Sequence, residues 1–383
     1  MFWKVIIRKL MKIAIDTGPL TSGHSVRGIG VHTKELVREL KLKTQNSKFK
    51  IDAFDFSVNS KQLIANNYDI VHYPYFHPFF ITLPFQKPTK RVVVTIHDLI
   101  PLIYPKHYPP GIKGQIRFLI QKFLLKNVDA IITISETSKK DICRFLGVHP
   151  DKVHVIYLAP REIFKPIQNT TSLRSDVVKR YRLPDRFSLY VGDVNYNKNI
   201  PTLAKACKVA KIPLVICGKQ ALEVEEFDED LRIVRGPMDY LRFLFGLPHP
   251  ELAHYKDLLK EFENNKHVVR LGFVPDKDLV VIYNLATIYV QPSFYEGFGL
   301  PVLEAFSCGV PVVASKTQAL VEIAGTGALF ANPRDFNDFA SKIKKVINDE
   351  KLRKQLISTG SEIVKNFSWR KTAKETLEVY KNV

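Results

Sequence analysis

The sequence predicts an α/β protein made of two doubly wound, Rossmann-like domains in series. Three observations point to it. Short apolar runs, among them RVVVTIHD, DAIITIS, IPLVICG and VPVVAS, alternate with segments of helical period along almost the whole chain. The runs are apolar at successive positions instead of every second one, the mark of parallel strands covered on both faces. The pattern pauses once, over residues 160–186, where Pro, Asn, Thr and Ser accumulate, and then restarts. A length of 383 residues exceeds one ordinary core and suits two domains.

In chain order, KIAIDTG is a short apolar strand ending in glycine, and GIGVHTKELVRELK follows as a helix. FKIDAFDF, YDIVHYP, RVVVTIHDL and DAIITIS read as further strands. ETSKKDICRFLG is a helix stopped by Gly147, and KVHVIYLAP returns to strand. The soft stretch is a linker with a short helix. Beyond it, FSLYVGDV, IPLVICG, LRIVRG, HVVRLGFV, TIYVQPS and VPVVAS are strands with helices between them. Residues 220–265 are charged and read as an insertion or an elaborated helical region. FSWRKTAKETLEVYKNV closes the chain as a helix. The predicted division is 1–165 for an N-terminal domain, 166–365 for a C-terminal domain, and 366–383 for a last helix that crosses back to the N-terminal domain.

Hydrophobic residues make up 45% and charged residues 25%, a globular composition. No eighteen consecutive apolar residues occur, so no transmembrane helix is predicted. The start, MFWKVIIRKLMK, lacks a cleavage-site pattern, so no secretory signal is predicted; Met11 opens a cleaner strand, which makes the first ten residues an extension or a misassigned start. Four scattered cysteines with no CxxC pair fit reduced thiols, not a disulfide framework or a zinc site. The sequon at Asn169 is then chance.

The formal charge of +19 suits nucleic acid, anionic lipid or phosphorylated substrates, or a merely basic surface. No aromatic RNP motif or zinc finger is present, so nucleic acid is not an expected partner. In GIKGQIRFLIQKFLLKN, residues 111–127, apolar residues recur at helical spacing among Lys113, Arg117, Lys122 and Lys126. Such a helix fits an anionic membrane surface, and it equally fits a core-facing helix with a solvated basic face.

The chemistry concentrates in SFYEGFGLPVLEAFSCG, residues 293–309, at the end of the TIYVQPS strand. Doubly wound sheets bind ligands beyond the carboxyl ends of their strands. Gly297 and Gly299 allow a close backbone approach, and Pro301 suits the start of the next helix, whose N-terminus favours an anion such as a diphosphate. Glu304, one turn into that helix, can accept hydrogen bonds from paired ribose hydroxyls. Glu296, in the loop, can face a sugar. One ligand with a phosphate centre and hydroxyls at both ends answers to this: a nucleotide sugar.

EGFGLPVLE resembles the E-x7-E signature of retaining GT-B glycosyltransferases of sequence family 4. YVGDVNYNKNIPTLAKA, LGFVPDKDLVVIYNLATIYVQPS, PVVAS, VEIAGTGALFANP and the closing FSW helix are similar to the family's C-terminal half. IDTGPL, RGIGVHTKEL, TIHDLIPLIYP and AIITISETSKKDI resemble a subgroup that includes mannosyltransferases of O-antigen and related polysaccharides. The resemblance covers nearly the whole chain. It implies the GT-B arrangement, an acceptor-side and a nucleotide-sugar-binding Rossmann-like domain facing each other across a cleft and closing over the donor.

By matching position, the resemblance implies that Glu296 sits beside the donor sugar. The backbone of Phe298, Gly299 and Leu300 approaches sugar and phosphates, Glu304 binds ribose and Lys198 neutralises the leaving diphosphate. It also implies that His97 faces the sugar and that Gly28 and Gly30 open a helix near the phosphates. The chain departs from the family pattern at Asn197, where Arg is usual; Arg27 is the cation that could compensate. Tyr73 and Tyr75, in VHYPYFHPFF, could stack on acceptor sugar rings or pack the core.

No Asp-x-Asp-like motif stands at a strand end, and the acidic run EEFDED at 225–230 reads as a solvated face, so the reaction is expected to be metal-independent, with no cofactor beyond the donor. The resemblance implies same-face displacement, in which the departing phosphate oxygen takes the acceptor proton. The TIHDLIPLIYP resemblance implies GDP-mannose as the donor, with UDP-sugars next, and the basic balance suits a glycan or lipid-diphosphate-linked acceptor at the inner membrane face. The alternatives from other classes are a GT-B epimerase or phosphorylase, and a non-enzymatic basic module binding membrane or nucleic acid. An epimerase would lack the E-x7-E loop, and a phosphorylase would need a pyridoxal-phosphate lysine that nothing marks.

Overall fold

The computed structural model describes residues 10–21, 28–45, 47–59, 63, 66–167, 171–224, 253–263, 265 and 267–383. Arg27, Asn169, the EEFDED run and the predicted strand LRIVRG lie outside the described residues. The chain forms two compact units. One comprises Met1–Leu102, Pro110–Ala159 and Phe367–Val383; the other comprises Ile103–Pro109 and Pro160–Asn366.

The first unit holds a six-stranded parallel sheet in the order β2-β1-β3-β4-β5-β6. Its strands are β1 (Met11–Asp16), β2 (Phe49–Phe54), β3 (Ile70–Tyr73), β4 (Arg91–Thr95), β5 (Ala130–Thr133) and β6 (Val153–Val155). The Val and Ile runs at the centre are buried on both faces, as unbroken apolar strands require. Helix α1 (Gly28–Thr44) follows β1, and α2 (Gly111–Leu124) follows β4. The last helix, Trp369–Asn382, buries Ala373, Leu377 and Tyr380 against Ile13, Ile15, Leu36 and Leu40. It is fixed by a hydrogen bond from Thr372 Oγ1 to the Tyr157 carbonyl, 2.7 Å. Tyr380 OH also meets His72 Nδ1 at 2.6 Å.

The second unit holds a parallel sheet in the order β12-β11-β10-β7-β8-β9. Its strands are β7 (Ser188–Val191), β8 (Leu214–Cys217), β9 (Val268–Gly272), β10 (Ile288–Gln291), β11 (Val312–Ser315) and β12 (Ala328–Ala331). β12 was not among the strands read from the sequence. It is four residues long, lies between Gly327 and the Asn332–Pro333 turn, and carries too few β-branched residues to stand out. The helices that matter for the site are α3 (Ile200–Ala210) after β7, α4 (Asp276–Leu285) before β10 and α5 (Leu300–Ser307) after β10.

The chain runs outward from β7 through β8 to β9, then returns to the other side of β7 with β10. The strand order therefore reverses between β7 and β10, and the loops leaving these two strands part around the switch point. At the β7 and β8 ends the backbones come together: a Cβ on Gly218 would lie 2.0 Å from the Gly192 carbonyl oxygen, so only glycine fits there.

Candidate active site

The β7 and β10 loops carry the residues that the sequence singled out. After β10, Gln291 and Ser293 hold the Glu296 carboxylate: Gln291 Nε2 donates to Oε1 at 2.7 Å and Ser293 Oγ at 2.6 Å. From the β7 loop, Lys198 Nζ donates to both carboxylate oxygens at 2.8 Å. Glu296 is buried and the lysine is mostly buried. A charge pair out of water is tolerated only when its remaining lone pairs are met, and Gln291 and Ser293 meet them. The site thus contains a fixed carboxylate and a cation of reach, side by side at the switch point.

Asn197 does not offer its side chain outward. It is buried, its Oδ1 accepts from Tyr108 OH at 2.7 Å, and its Nδ2 donates to the Tyr295 carbonyl at 3.2 Å. Its own carbonyl accepts from the Phe294 amide at 2.8 Å. Asn197 therefore ties the β7 loop to the β10 loop, and this brace is what stands where the family pattern has Arg. Asn199, at φ +56°, starts α3 and donates to the Pro292 and Pro333 carbonyls at 2.9 and 2.7 Å. Lys198 is held between two asparagine braces.

Gly297, Phe298 and Gly299 are buried, and Leu300 begins α5 with Pro301 in its first turn. Gly299 sits at φ +105° with Leu320 beneath it; a Cβ there would come within 2.6 Å of the Leu320 side chain. The turn that aims α5 at the switch point is a glycine turn for two separate reasons.

Glu304 lies inside α5, buried, with Oε2 accepting from Tyr283 OH of α4 at 3.0 Å. Burial pushes its pKa up to about 7, while Arg161 and the tyrosine hydrogen bond oppose the rise. Arg161 itself pairs with Asp276. Glu304 is therefore a carboxyl that changes charge near neutrality, in a dry setting where a hydroxyl pair would gain most from an ionised acceptor.

The other predicted residues belong to the first unit. His97 is buried after β4, its Nε2 3.1 Å from His32 Nδ1 of α1, and its carbonyl accepts from Ser138 Oγ at 2.8 Å. Burial lowers the pKa of His32 to about 3 and of His72 to about 3, so both rings are neutral at ordinary pH. Gly28 and Gly30 lie in the first turn of α1 itself, not in a loop before it. Tyr73 follows the core alternative: it is buried edge-on to Phe56, 5.3 Å between ring centres, and Tyr75 is half-buried. The sequence reading passed over Gln291, Ser293, Tyr283, Arg161 and Tyr108. Of these Gln291, Ser293 and Tyr283 lay in quoted motifs, Arg161 and Tyr108 did not, and none had a spacing that announced a role.

Two parallel doubly wound units with such a loop define the class: the chain has the GT-B fold of the glycosyltransferases. It belongs to the group 1 glycosyltransferases of family 4: the family described as glycosyl transferases group 1 matches residues 177–362, and Glycosyltransferase Family 4 matches residues 42–159. The chain is 28% identical to the O-antigen chain mannosyltransferase B of Escherichia coli over 97% of its own length and all of the relative's. It is 27% identical to the serotype-specific mannosyltransferase WbdA of Escherichia coli over 78% of its length, and there it spans only 34% of the relative. Among solved structures, the sucrose-phosphate synthase of Thermosynechococcus elongatus superposes with a TM-score of 0.67 at 20% identity, over 97% of this chain and 98% of that one.

Proposed function

We propose that this glycosyltransferase moves a hexose, mannose from GDP-mannose, to a glycan or lipid-linked acceptor in cell-surface polysaccharide synthesis, with retained anomeric configuration and without a metal ion. The observation that carries the reading is the Lys198–Glu296 pair at the switch point, with the buried Glu304 one turn into the helix that follows the Glu296 loop. The mannosyltransferase names of the relatives support the choice of sugar.

In this reading the donor diphosphate takes Lys198 Nζ from Glu296, and the freed carboxylate turns to the sugar hydroxyls. The amides of Gly297 through Leu300 receive phosphate oxygens at the start of α5, and Glu304 accepts from the ribose hydroxyls. Asn197 positions Lys198. His97 serves the donor sugar, and Gly28 and Gly30 let the start of α1 approach it. The bond from the anomeric carbon to the phosphate oxygen breaks, and the acceptor oxygen bonds that carbon on the same face. The departing phosphate oxygen takes the acceptor proton. The protein's share is positioning and charge stabilisation on the leaving group, by Lys198 and the α5 amides.

The test is transfer of labelled mannose from GDP-mannose to a mannose-ended, lipid-linked acceptor, with the product anomer read by NMR and the rate repeated in EDTA. A product of donor configuration, formed at an unchanged rate in EDTA and lost in Glu296→Gln, is expected. Consumption of UDP-glucose in place of GDP-mannose would overturn the donor, and release of nucleotide from no donor would overturn transfer.

A further inference from the structure

Helix α2 carries two apolar faces. One, with Gly114, Gln121 and Leu124, is buried on the first unit. The opposite one points to water: Ile112, Ile116, Leu119 and Phe123 stand at i, i+4, i+7 and i+11, and are 80%, 54%, 65% and 62% exposed. That spacing puts all four within one narrow stripe. A contiguous stripe of large apolar residues in water marks a surface that something covers.

The stripe is built firmly. A Cβ on Gly114 would lie 3.6 Å from Phe79 Cβ, so this face of the helix packs against the 77–83 loop. Gln121 Nε2 donates to the His77 carbonyl at 3.0 Å and to Thr82 Oγ1 at 2.6 Å, and its Oε1 accepts from the Leu83 amide at 3.2 Å. These bonds staple the 77–83 loop to α2, and that loop adds the exposed Phe80, over whose ring Arg117 stands at 5.8 Å.

Charge says what the cover is. Lys113, Arg117, Lys122 and Lys126 flank the stripe, all exposed. No Asp or Glu occurs between Asp98 and Asp129. The sequence of the first unit has 27 Lys and Arg against 13 Asp and Glu, so it carries +14 of the chain's +19. Among the described residues no helix is long and apolar enough to cross a membrane. We infer that α2 docks the protein on an anionic phospholipid bilayer, with the four apolar side chains in the headgroup–acyl boundary and the four cations on lipid phosphates. This surface is independent of the donor chosen above.

The test is flotation of the full chain with vesicles of neutral lipid, and of neutral lipid with about 30% anionic lipid, in low and high salt. Binding to the anionic vesicles only, weakened by salt, is expected. It should fall at least about tenfold in Leu119→Asp/Phe123→Asp, since charges cannot enter the acyl boundary. A Lys113→Gln/Arg117→Gln/Lys122→Gln variant, which alters exposed positions alone, should lose it too. Unchanged binding in either variant whose thermal midpoint matches wild type would overturn the inference. So would equal binding to neutral vesicles, or a wild-type dimer that the aspartates split while vesicle binding is absent.

Discussion

Glu296 and Lys198 neutralise each other in a mostly buried setting, and each is the other's cost if left alone. Lys198→Met should destabilise the second unit by about 1–3 kcal/mol in denaturant melts, and adding Glu296→Gln should recover part of that loss, because the orphaned charge is gone. Transfer should fall by about a hundredfold or more in either single variant, and the double variant should be no worse than the poorer single. Stability rescued without activity would separate the structural role of the pair from its chemistry. Glu304 makes a pH prediction. Burial pushes its pKa up to about 7, and in the proposed role it would accept ribose hydroxyls best when ionised. GDP affinity measured by calorimetry should rise about tenfold from pH 6 to pH 8 beyond the rise seen in Glu304→Gln, which reports the nucleotide's own titration. Equal slopes in the two proteins would remove Glu304 from the nucleotide site.

The loops after β7 and β10 act as one element because Asn197 joins them. Tyr108→Phe removes both bonds that its hydroxyl makes with Asn197, to Oδ1 and from the amide, and should raise the donor KM while lowering the melting midpoint by about 2–4 °C. Gly299→Ala is harsher, since a left-handed backbone and the Leu320 side chain both resist a Cβ. It should cost about 2 kcal/mol or more and weaken donor binding together. At this scale the sequence was legible in part. EGFGLPVLE announced its glycine turn, its helix start and both glutamates, because each answers to a local backbone rule. The long-range pairings did not: Lys198 is 98 residues from Glu296 and meets it because β7 pairs with β10, and Tyr108 is 89 from Asn197 and meets it because residues Ile103–Pro109 belong to the second unit. Asn197 read as a lost cation, and proved a brace whose partners no local pattern names. Helix α2 read either way from its period, because period fixes that two faces exist and not which one the fold covers.

The two units answer acid differently. His32 and His72 are neutral in the first unit, so below about pH 6.5 the unfolded chain binds protons that the native unit refuses; the stability present above that pH is lost as it falls toward 3. Glu304 works the other way in the second unit: its native form keeps a proton between about 4.5 and 7, so that contribution is present at low pH and lost as pH rises through about 7. Calorimetry between pH 7 and pH 5 should therefore move the first unit's transition down relative to the second's, and the separation should narrow in His72→Gln. The whole account rests on a nucleotide-sugar site in the second unit, and one measurement reaches it directly: the melting midpoint with GDP-mannose, GDP, UDP-glucose or no ligand, for wild type and Glu304→Ala. GDP-mannose at about a hundred times its Kd should add about 2.7 kcal/mol and raise the midpoint by about 5–10 °C, with the rise absent in the variant. A midpoint that no nucleotide moves, or a variant that responds like wild type, would contradict it.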